Sequence, residues 1–184
     1  MHHLLAGELG QMAERFNLSQ DFNDYLTNVK GKTAALFRLA AEEGSHFGNG
    51  DEQTTQALAS FGENLGIAFQ IVDDILDYTG GKQLNKPTLE DLTTGVYSLP
   101  ILLALSKKEL REQLVPLLEK KRQMSKNDIE QIKKILLNSS VIEETHALAE
   151  QYTNRALANL AQLPQTNATV LLKKMTRKLV NRTL

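Results

Sequence analysis

The sequence contains no cysteine, which excludes a disulfide framework, a zinc–thiolate centre and a thiol nucleophile. It has no excess of charge of either sign, because 21 Lys and Arg stand against 22 Asp and Glu, a formal net charge of −1. That balance leaves no basic footprint for nucleic acid, which is not expected as a partner. Long apolar runs are missing too: the longest, Leu99 to Leu105, is far too short to cross a bilayer. Met1-His2-His3 lacks the basic region and following apolar stretch of a signal peptide. A cytoplasmic protein with no transmembrane segment is the expectation. Internal repeats and low-complexity linkers are absent, and strand signals are scarce. What the sequence does have is enough apolar material for a core, 41% hydrophobic against 23% charged residues over 184 positions, which excludes disorder by composition.

Almost every segment repeats apolar residues at three-to-four spacing, broken by Gly, Asn, Ser and Pro. The pattern predicts helices near 2–16, 20–30, 32–47, 52–78, 98–107, 109–121, 126–138, 141–161 and 167–182, and hence one all-α helical bundle over residues 1–184. Asp51 stands ahead of the longest run, and Ser140 with Glu143 has the spacing of a capping box, with Ser125 and Asp128 a weaker version. Pro164 marks a stop. The longest expected loop runs from Thr79 to Val96, and loops of that length in a bundle tend to be functional.

The stretch from Phe61 to Tyr78 is the most informative. Leu58, Phe61, Leu65, Ala68, Phe69, Val72 and Leu76 form one apolar stripe, and Ile67, Ile71 and Ile75 form another, so this helix is expected to be central and buried. Gly62 and Gly66 lower its helix propensity and point to a neighbouring helix in close approach. At about 100° per residue, Gln70, Asp73, Asp74 and Asp77 share an arc of roughly 100°. Carboxylates one turn apart repel, and burying one without a partner is costly. Oxygen-only ligands with no His or Cys nearby suit a hard cation such as Mg2+. The alternative is a helix end whose aspartates face solvent, which the apolar flanks on both sides disfavour.

A cation held by carboxylates and water commonly shares its shell with a phosphate-bearing molecule, which predicts lysines nearby. Lys30-Gly31-Lys32-Thr33 reads as a break between two helices, combining free amides with an ammonium in an anion site. Lys82 and Lys86 lie in the long loop. Taken singly, each lysine also reads as a solvated surface residue. His46 and His146 have no partners at metal-ligand spacing, Tyr78 reads as packing, and Lys173, Lys174, Arg177 and Lys178 read as a solvated face.

Together these segments resemble the trans-polyprenyl diphosphate synthase family, in particular the C-terminal half of its medium- and long-chain bacterial members. Phe69-Gln70-Ile71-Val72-Asp73-Asp74-Ile75-Leu76-Asp77-Tyr78 is similar to the family's second aspartate-rich motif, and Lys32-Thr33-Ala34-Ala35-Leu36-Phe37 to its Lys-Thr-Ala-x-Leu-Phe element. Gly7-Glu8-Leu9-Gly10-Gln11 resembles its Gly-Glu-x-x-Gln helix, with Glu8 and Gln11 either lining the site or packing. Lys86-Pro87, Asp91-Leu92, Gly95 and Ser98-Leu99-Pro100 resemble the loop after the motif. The resemblance implies an isoprenoid-synthase-type helical fold. It also implies Mg2+-dependent condensation of isopentenyl diphosphate with an allylic diphosphate. By carry-over, Asp73, Asp74 and Asp77 would hold Mg2+, Lys32 and Lys86 the diphosphate, Thr33 and Gln70 would line the substrate site, and Asp73, Asp74 and Lys32 would be the catalytic set.

The sequence also departs from that pattern. It has no second aspartate-rich cluster and no upstream Lys/Arg/His group for isopentenyl diphosphate, so roughly the N-terminal half of the family's bundle is expected to lie outside it. Asn85 and Val96 stand where the family often has Gly and Lys. Three readings follow. One is a synthase half-site with little or no elongation activity alone, as a homodimer or with a partner subunit. Another is a non-catalytic helical subunit that associates through exposed apolar surface. The last is an unrelated Mg2+ pyrophosphohydrolase, which leaves Lys32-Thr33 and the segment from Lys86 to Pro100 unexplained.

Overall fold

The computed structural model describes residues 15–80 and 89–180, without the side chains of residues 90 and 91. Among these residues there is no strand. The helices are α1 (Phe22–Val29), α2 (Ala35–Phe47), α3 (Glu52–Thr79), α4 (Glu90–Thr94), α5 (Leu99–Leu105), α6 (Lys108–Leu118), α7 (Lys126–Leu137), α8 (Val141–Ala161) and α9 (Asn167–Val180). The all-α expectation holds, and no helix among them is long and apolar enough to cross a membrane.

The long helix α3 forms because nothing interrupts its apolar periodicity for 28 residues, and the Asp51 carboxylate caps its start by accepting from the Thr54 amide at 2.7 Å. It packs between α2 on one side and α8 on the other, and α9 lies across α8. Ile67, Ile71 and Ile75 are fully buried, as are Ala68 and Val72, while Phe61 and Leu65 join Ala156 and Leu160 of α8 in a second cluster. The two glycines serve the predicted close approach: a Cβ on Gly62 would lie 2.4 Å from the Phe37 carbonyl oxygen, and one on Gly66 would lie 2.6 Å from the Ala34 Cα. Around the lower half of α3, α5 meets α1, α6 and α8, burying Leu99, Ile101, Leu102, Ala104 and Leu105.

Several expectations are corrected. The stretch 79–96 is not all loop: the short α4 forms there, with Leu89 just before it and Leu92 within it both buried. The predicted 109–121 helix ends at Leu118, two residues after Pro116. Residues 15 and 16, the end of the predicted 2–16 helix, form a turn in which Phe16 takes φ 60°; the rest of that helix lies outside the described residues. Ser140 caps nothing: its φ of −76° and ψ of −1° are helical rather than extended, and its hydroxyl donates instead to Glu144 at 2.6 Å. Ser125 and Asp128, the weaker pattern, form a reciprocal capping box, with bonds of 3.2 and 2.8 Å.

Candidate functional site

Lys30 to Thr33 does not break the chain into two helices. The backbone passes from α1 into α2 through a π-turn, Lys30–Ala34, with helical dihedrals at both ends and the Ala35 amide bonded to the Lys30 carbonyl. One extra residue is taken into the turn, so the helical path is continuous and the expected anion site built on free amides is not there. The wider turn instead sets the side chains apart. Lys30 reaches Glu63 of α3 at 3.2 Å on the outside, whereas Lys32 and Thr33 line a pocket on the other side. Thr33 Oγ1 donates to Gln70 Oε1 at 2.8 Å.

On α3 the aspartates part company. Asp74 is 6% exposed, and its two oxygens accept three hydrogen bonds: Oδ2 from the Tyr25 hydroxyl at 2.8 Å and the Leu99 amide at 3.0 Å, Oδ1 from the Gln70 amide at 2.9 Å. Burial pushes its carboxyl up to about 6, against the pull of the Leu99 amide, Gln70 and Tyr25 toward ionisation. Burial, and then the Asp74 charge, push the Tyr25 phenol well above its ordinary value. Asp73 and Asp77, one turn apart and half-buried, line the same pocket as Lys32. Its volume is about 140 Å³, small beside ligand pockets of about 300–1,000 Å³, and it suits an ion with a polar headgroup.

Six of the expected site residues, Lys32, Thr33, Gln70, Asp73, Asp74 and Asp77, therefore meet in one place. Lys86 lies outside the described residues, as do Lys82, Glu8 and Gln11. The pocket also uses residues the motif reading passed over, Tyr25 and Asn28 from α1 and Tyr97, beside Gly95, Val96 and Ser98 of the noted segment leading into α5. Tyr25, Val29 and Lys32 recur at three-to-four spacing, a signal that places them on one face. Tyr78 is buried, and its hydroxyl lies 2.6 Å from Ser98 Oγ, which is packing against the base of α5.

Asp73, Asp74 and Asp77 all border the pocket, but their side chains are held differently. Among the described residues no three His, Asp or Glu side chains group closely enough to hold a metal; Asp74 is bonded to Tyr25 and the Leu99 amide. Two carboxylates with a lysine beside them still match Mg2+, which is commonly bound through one or two carboxylates while water and phosphate fill the remaining positions.

The chain is similar to known proteins in both sequence and fold. Residues 1–136 match the family model described as polyprenyl synthetase. Decaprenyl-diphosphate synthase of Dictyostelium discoideum is 36% identical over 182 residues, covering 98% of this chain and 38% of that protein. Heptaprenyl diphosphate synthase component 2 of Bacillus subtilis is 35% identical over 164 residues, covering 88% and 46%. Among solved structures, geranylgeranyl pyrophosphate synthase from Lactobacillus brevis superposes with a TM-score of 0.90 at 37% identity, over 98% of this chain and 56% of that one. Heptaprenyl diphosphate synthase from Staphylococcus aureus gives 0.91 at 32%, over 99% and 57%. The chain thus spans about half the length of the relatives it matches. Because the family match runs through both the Lys32 turn and the α3 aspartates, the chain belongs to the polyprenyl synthetase family.

Proposed function

We propose that this chain, as one all-helical unit over residues 1–184, carries the metal–diphosphate half-site of a polyprenyl diphosphate synthase. The reaction is Mg2+-dependent condensation of isopentenyl diphosphate with an allylic diphosphate. The observation that carries this reading is the convergence of Asp73, Asp77 and Lys32 on one small pocket in a fold of this family. In the reaction, the allylic C–O bond breaks with its electron pair on the departing diphosphate. The isopentenyl double bond then attacks the allylic carbon, and loss of a proton restores an alkene. Mg2+, when bound, supplies positive charge to the leaving diphosphate.

Asp73 and Asp77 would hold the cation, and the Lys32 ammonium would take diphosphate oxygens directly, stabilising the charge that develops on them. Thr33 and Gln70, bonded to each other, fix the turn that presents Lys32. Lys86 is a further diphosphate ligand in this reading. Val29, Val96 and Tyr97 line the pocket and keep water from the reacting carbon. Chain elongation also needs the second substrate to be held in place, and orientation contributes many kcal/mol to such a step. No group for isopentenyl diphosphate is identified in these 184 residues, so the polypeptide is expected to elongate little or nothing alone.

A partner subunit is the second reading, and the outer face of α2 favours it. Leu36, Leu39 and Phe47 are 51%, 53% and 83% exposed there, side chains that association with another chain or a second copy would cover. Calorimetric titration of the chain with inorganic pyrophosphate and Mg2+ tests the half-site. Binding is expected that disappears with EDTA and weakens at least about tenfold in Asp73→Ala. Absence of binding by intact, folded protein would overturn the reading. In parallel, transfer of radiolabelled isopentenyl diphosphate to farnesyl diphosphate should be negligible, and a robust rate lost in Asp73→Ala would show a complete synthase instead.

A further inference from the structure

Asp74 is largely committed within the protein: three of its roughly four lone-pair positions are taken. It is buried, and both oxygens already accept, three bonds in all, from three different places in the chain. Tyr25 belongs to α1, Gln70 to α3 itself, and Leu99 is the first residue of α5. Gln70 carries the connection one step further, because its carbonyl oxygen accepts from Thr33, the neighbour of Lys32 in the π-turn. The chain of bonds Thr33–Gln70–Asp74, with Tyr25 and the Leu99 amide closing on Asp74, therefore runs along the pocket wall and joins α1, the π-turn, α3 and the start of α5.

We propose that Asp74 is a positioning residue and not a metal ligand, acting with Tyr25 as a clamp that holds the Lys32 turn and the start of α5 in register around Asp73 and Asp77. This rests on the proposed diphosphate half-site for what the register serves, but the clamp itself is a property of the fold. A buried carboxylate makes a rigid junction because its bonds are charge-assisted and each donor left unpaired is costly. Tyr25, with its hydroxyl on Asp74, offers nothing to a cation, so removing that hydroxyl separates the two roles.

The experiment compares Asp74→Asn, Tyr25→Phe, Thr33→Val and Asp73→Asn in the intact chain. Hydrogen exchange without metal or ligand reads the clamp directly. Peptides covering 28–36 and 96–102 should exchange faster, by about tenfold, in Asp74→Asn and Tyr25→Phe, and at the wild-type rate in Asp73→Asn. Pyrophosphate titration at several Mg2+ concentrations then reads the consequence. Tyr25→Phe and Thr33→Val should weaken pyrophosphate binding several-fold without moving the Mg2+ midpoint, whereas Asp73→Asn should move the midpoint.

Unchanged exchange in Asp74→Asn together with a shifted Mg2+ midpoint would make it a ligand and overturn the proposal. Unchanged pyrophosphate affinity in folded Tyr25→Phe and Thr33→Val would reduce the network to packing and overturn it as well. Should Asp74→Asn fail to fold, Tyr25→Phe and Thr33→Val carry both measurements. If the wild-type chain does not bind pyrophosphate, the half-site reading fails, while the exchange rates still decide the clamp.

Discussion

At the scale of single residues, Asp128 is a strongly held acid outside the pocket. Lys120 Nζ reaches it at 2.6 Å, and Ser125 donates through both its hydroxyl and its amide at 2.7 and 2.8 Å. The Lys120 bond above all, and then Ser125, hold its carboxyl down to about 2, against an ordinary value of 3.8. A depressed carboxyl contributes stability that is present above its unfolded value and is lost as pH falls through the folded one. Thermal unfolding between pH 5 and pH 2 should therefore show the melting advantage of wild type over Asp128→Asn shrinking from about pH 4 downward. A constant difference across that range would contradict the assignment. Ser125→Ala, which removes the cap of α7, should cost about 1 kcal/mol at neutral pH by denaturant titration. Asp73 and Asp74 make the complementary point, because adjacent positions in one motif have different environments: both border the pocket, but Asp74 is buried among three donors.

At the scale of elements, α2 and α3 are set by their glycines. Gly62 and Gly66 let the backbone of the π-turn and of α2 lie directly on α3, which brings Thr33 to Gln70 and Lys32 to the aspartates. Gly66→Ala would drive a methyl group to 2.6 Å from the Ala34 Cα. We expect a loss of about 1–3 kcal/mol in denaturant unfolding, together with weaker pyrophosphate binding because the Lys32 turn is displaced. Gly44, also in α2, faces open space, with nothing within 4 Å of where a Cβ would stand, so Gly44→Ala should be neutral or stabilising by up to about 1 kcal/mol. The pair tests whether close approach or helix propensity governs each glycine. The sequence pattern located α1 and α2 but read a break between them, since Lys-Gly-Lys-Thr looks like a terminus when the surrounding helices cannot be seen to carry the chain through.

At the scale of the whole molecule, a buried face and a bare face lie on opposite sides of α2. Phe37 and Ala41 pack toward α3, while Leu36, Leu39 and Phe47 are exposed. The proposed association predicts that sedimentation detects a species heavier than one chain, or a complex once a partner is supplied. The double variant Leu36→Glu/Leu39→Glu should return it to a monomer with little change in unfolding stability, because both side chains are already in water. A wild-type chain that stays monomeric at all concentrations and captures no partner would leave the face without that role.

The helical content, the burial of α3 on both sides, the close approach at Gly62 and Gly66, and the grouping of Lys32, Thr33, Gln70 and the aspartates were all legible in the residues. The first three depend on periodicity or on a residue type whose physical consequence is local; the grouping rests on the resemblance of the Lys32-Thr33 and aspartate motifs to those of the family. What required the fold was the partition of the aspartates. Helical spacing places Asp73, Asp74 and Asp77 on one arc, but it cannot say that Tyr25 and the Leu99 amide, distant in sequence, arrive beside only one of them. The same holds for the π-turn and for α4, which exist because Ala34, Leu89 and Leu92 are buried against other elements. Side-chain pattern specifies what a helix can present; the neighbours that pack against it decide which of those groups meets a donor and which meets the pocket.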